Sequence, residues 1–341
     1  MDYSVWMLWV QLSLSAAIIL IAATQLTKNA DVIAFKTGLG RSFVGVVLLA
    51  TATSLPELGT GVSAVTLIGG TDGANLAAGD AFGSNLFNLL IIGIIDLLWR
   101  NGSIFSGLGI RVALVGVLGV LVIGGAASAM LIHSHTDFMS NMIISPMSVI
   151  VLLVFLAALF TIYREEKYSV DEESNVNYSD ESLSKAFIVY GIAALVVVGS
   201  AIWLAQTGDA LADEMGWGKS FVGTQFLALS TSLPELAASV AAIRIMAPEL
   251  AITNVLGSNL FNMGFVLFLD DLAYTEGPIW TAVSSIHVFT AMLAMIMTMI
   301  VLIPMTSKSK LSFGRVITLE SILLIGLYVV GSVLVFASGG H

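Results

Sequence analysis

Two polar blocks occur twice in this chain, each time inside an apolar run. Arg41-Ser-Phe-Val-Gly returns as Lys219-Ser-Phe-Val-Gly, and Thr53-Ser-Leu-Pro-Glu-Leu58 returns as Thr231-Ser-Leu-Pro-Glu-Leu236, both after 178 positions. Gly83-Ser-Asn-Leu-Phe-Asn88 returns as Gly257-Ser-Asn-Leu-Phe-Asn262 after 174 positions. The first copy therefore holds four extra residues, which the composition places in a turn at Gly69-Gly-Thr-Asp-Gly73. A duplication kept for architecture alone would preserve packing residues. Here Ser, Thr, Glu, Pro and Asn are preserved, and each is costly in an apolar medium unless it meets a partner.

The medium is a bilayer. Of the 341 residues, 57% are apolar and 11% charged, against about 25% charged in a soluble domain. Spans of about 20 apolar residues are expected at 6-25, 42-68, 77-99, 112-132, 142-162, 186-206, 220-243, 250-269, 281-304 and 316-337, ten in all. With ten spans, twelve of the thirteen basic residues fall on one side and only Lys219 on the other. By the positive-inside rule that side is cytoplasmic, with both termini outside, and the lack of a large regulatory loop suggests a plasma (inner) membrane. No signal-peptide pattern precedes the first span, which is expected to be retained. The acidic stretch 163-185 reads as a solvated cytoplasmic linker between a first five-helix half, 1-162, and a second, 186-341. Five is odd, so equivalent helices cross in opposite directions. The expected fold is an all-α integral membrane protein of ten helices in two inverted-topology repeats, with its site near the midplane where the repeated segments 41-93 and 219-265 meet.

At 3.6 residues per turn, Ala50, Thr53, Ser54 and Glu57 share a helix face, as do Ala228, Thr231, Ser232 and Glu235. Pro56 and Pro234 each remove a donor and are expected to loosen the helix at Ala52 and Ser230, leaving carbonyl oxygens for a cavity or a cation. Two carboxylates buried together repel unless a cation neutralises both. Calcium suits them, since it takes about 6–8 oxygens in flexible geometry. Two sodium ions neutralise the same charge, so one site can be filled in two competing ways, which is the basis of exchange. Magnesium fits less well because it dehydrates reluctantly. Ser84 with Asn88, and Ser258 with Asn262, stand four apart and offer neutral oxygens. Asn85 and Asn259 point about 100° away and read as helix-to-helix hydrogen bonds, while Gly83 and Gly257 permit close packing.

At these residues the chain resembles the calcium/cation antiporter superfamily, in its sodium/calcium exchanger branch, over its whole length. The pattern is Thr-Ser-x-Pro-Glu in one helix and Gly-Ser-Asn-x-x-Asn or Asp in the next, present twice. The resemblance implies that Glu57, Glu235 and the carbonyls of Thr53 and Thr231 surround calcium. It implies that Ala50, Ser54, Ser84, Ala228, Ser232 and Ser258 serve flanking sodium sites, with Asn88 and Asn262 in the central layer. It also implies calcium/sodium exchange by alternating access, with the helices outside spans 2, 3, 7 and 8 moving. The chain departs from the branch at Asn262, where an aspartate is common, so protons remain the alternative counter-ion. Asp80, one turn before Ser84, is expected to replace part of that missing acid; its counterpart is Asn254.

Other readings fare worse. The proton-coupled branch usually shows Gly-Asn-Ala-x-Glu where this chain has Thr-Ser-Leu-Pro-Glu. Selectivity filters of channels are generally rings of subunits. An intramembrane enzyme would need a nucleophile or metal system, and neither HExxH nor a paired Asp motif is visible. With no cysteines and a net charge of -10, thiol chemistry and nucleic-acid binding are excluded. The chain is thus expected to be no enzyme, to bind no cofactor tightly, and to have inorganic cations and lipid, but no obligate protein, as partners. His133 and His135 are expected in an outer loop. Asp270 and Asp271 are expected at an outer span end, Asp96 and Glu320 at solvated or snorkelling cytoplasmic ends, and Met292, Met295, Met297 and Met299 in helix or lipid packing.

Overall fold

The computed structural model describes residues 3–99, 102–136, 142–168, 178–215, 227–306, 312–313 and 317–338. Arg100, Lys308, Lys310, Arg315, the segment Lys219-Ser-Phe-Val-Gly and the linker positions 169–177 lie outside them. The chain is a helical multi-pass membrane protein. Its first helix, α1, spans Tyr3–Thr37. Next come α2 (Arg41–Thr53) and α3 (Leu55–Ile68), bent at 41° to one another. Four long helices follow: α4 (Gly70–Leu98), α5 (Ile110–His135), α6 (Pro146–Tyr168) and α7 (Leu183–Met215). The second broken helix is α8 (Leu227–Thr231) with α9 (Leu233–Arg244). Last are α10 (Pro248–Ala273), α11 (Ile286–Thr306) and α12 (Leu319–Ser338). Among the described residues, seven helices are long and apolar enough to cross a membrane, and the α2–α3 pair makes eight. A two-residue antiparallel ladder, Ser312–Phe313 with Ile317–Thr318, joins α11 to α12.

Several boundaries differ from the expected spans for physical reasons. Helix α1 runs on through Lys28 and Lys36, because nothing breaks it before Gly38 and Gly40, both at φ 66°. Gly69 and Gly70, at φ 69° and 56°, do make a turn, but the rest of the segment, from Gly70 to Gly73, is already helical. It forms the first turn of α4, so the four extra residues lengthen a helix by about one turn and leave its faces nearly in register. The helix breaks also sit two residues later than expected, at Ser54 (φ −90°, ψ 5°) and Ser232 (φ −87°, ψ 6°). Each proline then lies in the first turn of a new helix, where a missing amide costs little.

The broken helices, α4 and α10 form the centre. α4 and α10 are buried along most of their length, whereas α1, α6 and α7 are largely exposed and apolar, with Leu195, Ile188 and Phe160 outward. An apolar exterior is what a hydrocarbon solvent selects. Gly257 brings α10 onto α2, since a methyl there would come within 2.8 Å of the Val46 Cα and 3.0 Å of the Ala50 Cβ. Wide π-type turns interrupt α2 at Gly45–Leu49 and α10 at Asn262–Val266, both beside the repeated blocks, and another ends α3 at Ala64–Ile68. Of the methionine run in α11, Met297 is buried and Met292 and Met299 face outward, as packing requires.

Candidate cation site

The repeated residues converge. Thr53, Ser54, Glu57, Ser84, Asn88, Thr231, Ser232, Glu235, Ser258 and Asn262 are fully buried, as is Ala50, and Asp80 is 3% exposed. Ala228 lies in α8, with its side chain outside the described residues. Contacts come in reciprocal pairs. The Ser54 hydroxyl donates to Glu235 Oε1 at 3.1 Å and the Ser232 hydroxyl to Glu57 Oε1 at 3.2 Å. Thr53 and Ser258 hydroxyls meet at 3.5 Å, and those of Ser84 and Thr231 at 3.4 Å. Asn88 Nδ2 donates to Asn259 Oδ1 at 2.9 Å, and Asn262 Nδ2 to Asn85 Oδ1 at 3.4 Å. Exchanging each residue for its repeat mate turns one bond of each pair into the other, the signature of a local two-fold axis.

The broken helices explain the placement. A kink just before Leu-Pro-Glu turns Glu57 and Glu235 inward at the first turn of α3 and α9, and each meets the serine at the opposite break. Two relations are unequal: Thr231 donates to Asp80 Oδ1 at 3.2 Å while Thr53 Oγ1 lies 3.5 Å from the Asn254 amide oxygen, and the Ser258 hydroxyl donates to Glu235 Oε1 at 3.2 Å whereas Ser84 meets Thr231. Asn254 also reaches Ser239 at 3.2 Å and the Glu235 carbonyl at 3.4 Å. Asn85 and Asn259 do make helix-to-helix hydrogen bonds. By taking the amide nitrogens of Asn88 and Asn262, they leave those two side-chain oxygens without a hydrogen bond.

Five buried oxygens of this cluster have no hydrogen-bond partner: Glu57 Oε2, Glu235 Oε2, Asp80 Oδ2, Asn88 Oδ1 and Asn262 Oδ1. Buried polar atoms are normally paired, at about 90% or more, so this concentration of bare acceptors asks for a positive ligand. Among the described residues no three Asp, Glu or His side chains converge as a metal cluster. A shell here would combine carboxylates with hydroxyl, amide and carbonyl oxygens, the chemistry of hard cations.

Four span-end residues need correction. Asp96, Asp270 and Asp271 are fully buried. Asp96 accepts from the Ile104 amide at 2.8 Å and from the hydroxyls of Thr318 and Ser321, tying α4 to α12. Asp271 accepts from the amides of Ser145 at 2.8 Å and Ile279 at 2.7 Å, tying α10 to the start of α6. His133 belongs to the last turn of α5, is buried, and meets the Ser145 hydroxyl at 3.3 Å. Asp96 and Asp271 each accept from the amide eight residues on, Ile104 and Ile279, but the two acids stand 175 apart, one more than the repeated block, so the repeat does not pair them in the sequence.

The sequence pattern of the family described as sodium/calcium exchanger protein matches residues 7–164 and 185–337. The chain is 26% identical over 272 residues to the inner membrane protein YrbG of Escherichia coli K12, covering 77% of this chain and 78% of that one. It is 25% identical over 309 residues to the sodium/calcium exchanger MaX1 of Methanosarcina acetivorans, covering 81% and 85%. The fold matches a solved structure of the sodium-calcium exchanger NCX_Mj with a TM-score of 0.72 at 18% identity, over 96% of this chain and 99% of that one.

Proposed function

We propose that this chain, which belongs to the sodium/calcium exchanger family, is a secondary antiporter that exchanges calcium for sodium across the membrane by alternating access. The five bare oxygens around Glu57 and Glu235 carry this reading. A membrane-buried carboxylate costs on the order of 2.5–3.5 kcal/mol, and a divalent ion between two of them offsets that cost by neutralising both. Glu57, Glu235 and the carbonyls of Thr53 and Thr231 hold calcium. Ala50, Ser54, Ser84, Ala228, Ser232 and Ser258 serve sodium, Asn88 and Asn262 form the central layer, and Asp80 adds a third acid. Because an empty site keeps its charge, it does not reorient, and flux of one ion requires the other.

The reciprocal contacts support two inverted five-helix halves, 1-162 and 186-341, joined by the linker 163-185, with ten spans in all. The sided distribution of Lys and Arg supports termini outside and the linker in the cytoplasm, and the lack of a large regulatory loop supports a plasma membrane location. Asn262 favours a second reading, exchange against protons, because it removes an acid that the resemblance associates with sodium. Calcium uptake into proteoliposomes separates the two. We expect uptake driven by internal sodium and none in Glu57→Gln. Uptake driven only by an outward proton gradient would select the second reading, and no calcium movement under either gradient would reject both.

A further inference from the structure

Asp270 is a buried acid without a task in that mechanism. It is fully buried in the last turns of α10, and neither carboxylate oxygen has a hydrogen-bond partner, whereas its neighbour Asp271 is held by two backbone amides. Its carboxylate lies flat against Gly61, where a methyl would come within 2.5 Å of Oδ1 and 2.6 Å of Oδ2. Gly61 follows Glu57 by one turn of α3 and extends the same face. Asp80, whose Oδ2 is likewise without a hydrogen-bond partner, is within electrostatic reach of Asp270. The charged neighbours of Asp270 are themselves acids, Asp80 and Asp271.

The other half carries nothing comparable. Asn254 occupies the place of Asp80 and Ser239 that of Gly61, and the two satisfy each other at 3.2 Å. At the 174-residue offset Asp96 stands opposite Asp270, and its carboxylate is occupied by the Ile104 amide and the Thr318 and Ser321 hydroxyls. The line of unpaired acid therefore leads from the central glutamates to one membrane face only.

We propose that Asp270, packed against Gly61, forms with Asp80 a second divalent-cation station between Glu57–Glu235 and the membrane face where α3 and α10 end. Asp270 supplies two unpartnered oxygens and Asp80 a third, which it shares with the central cluster, and water and carbonyls can be added in calcium's flexible geometry. The station rests on the reading of the chain as a divalent-cation antiporter, because its ion is one in transit to the central site.

Equilibrium binding of radiolabelled calcium to the purified full-length chain tests this. Wild type is expected to bind two ions. Asp270→Asn should bind one, in the class that Glu57→Gln abolishes, and Glu57→Gln should keep the class that Asp270→Asn abolishes. Gly61→Ala retains both charges but pushes a methyl onto the carboxylate, and should weaken the second class by about tenfold or more. One ion in wild type with Asp270→Asn unchanged overturns the station and leaves the central site standing. No binding in wild type, or binding indifferent to Glu57→Gln, overturns the antiporter reading instead. Should Asp270→Asn fail to fold, Gly61→Ala decides, and unchanged second-class affinity there overturns the station.

Discussion

Asn262 sets the charge of the centre. Its amide nitrogen is engaged by Asn85, so it presents a neutral oxygen to the site where an acid would present a charge. Restoring that charge with Asn262→Asp adds attraction for a divalent ion in a partly shielded interior, offset in part by repulsion from Glu57, Glu235 and Asp80. The net gain expected is about 1–2 kcal/mol, or roughly five- to thirtyfold in calcium Kd. Radiolabelled binding at fixed sodium measures it, and an unchanged Kd would put Asn262 outside the ion's shell. Residues such as Glu57 and Asn262 stood out in the sequence because a polar side chain in an apolar run needs a reason. Asp96, Asp271 and His133 did not. Sequence position shows how near a residue is to a span end, but not that Thr318, Ser321 or Ser145, far away in the chain, fold over it.

At the scale of elements, apolar runs located the helices and misjudged their ends. The hydrocarbon length limits what must be apolar, not what can be helical, so α1 continues for 35 residues until a glycine takes positive φ. Its polar end is used: Asp31 holds Arg41 through two bonds at 2.6 and 2.9 Å and receives the Tyr178 hydroxyl at 3.0 Å. Burial, then the nearby Asp31, pushes the Tyr178 phenol up to about 12. The linker thus returns to the corner between α1 and α2, a contact that its acidic, solvated composition did not suggest. The helix breaks were foreseen from Pro56 and Pro234, yet their position was not, because proline is disfavoured inside a helix but tolerated in its first turn. The chain resolves the conflict by restarting the helix at Leu55 and Leu233.

Across the whole molecule the core is divided unequally. One large apolar cluster joins α4, α5, α10 and α11, while a separate small one sits where α1 and α7 lie against α9, built from Ile19, Ala22, Ala23, Val197, Ala201, Leu204, Ala237 and Ala238. Small side chains let helices approach without interlocking. Among the described residues a hydrogen bond crosses this seam from Thr27 Oγ1 to the Ala238 carbonyl at 3.1 Å. Such a seam suits two long, lipid-facing helices that slide past a fixed site during alternating access. Ala238 is fully buried in it, so Ala238→Leu drives three extra carbons into the seam at a cost of about 1–3 kcal/mol wherever the two sides cannot separate. Ala238 belongs to the seam cluster and adds no atom to the set of unpartnered oxygens, so calcium Kd is expected to stay within about twofold. A knob in a sliding surface penalises the passage between end states, so the rate of sodium-driven calcium uptake should fall by about tenfold or more. Normal uptake with only a lowered Tm would mean that α1 and α7 stay fixed and that the motion belongs to other helices.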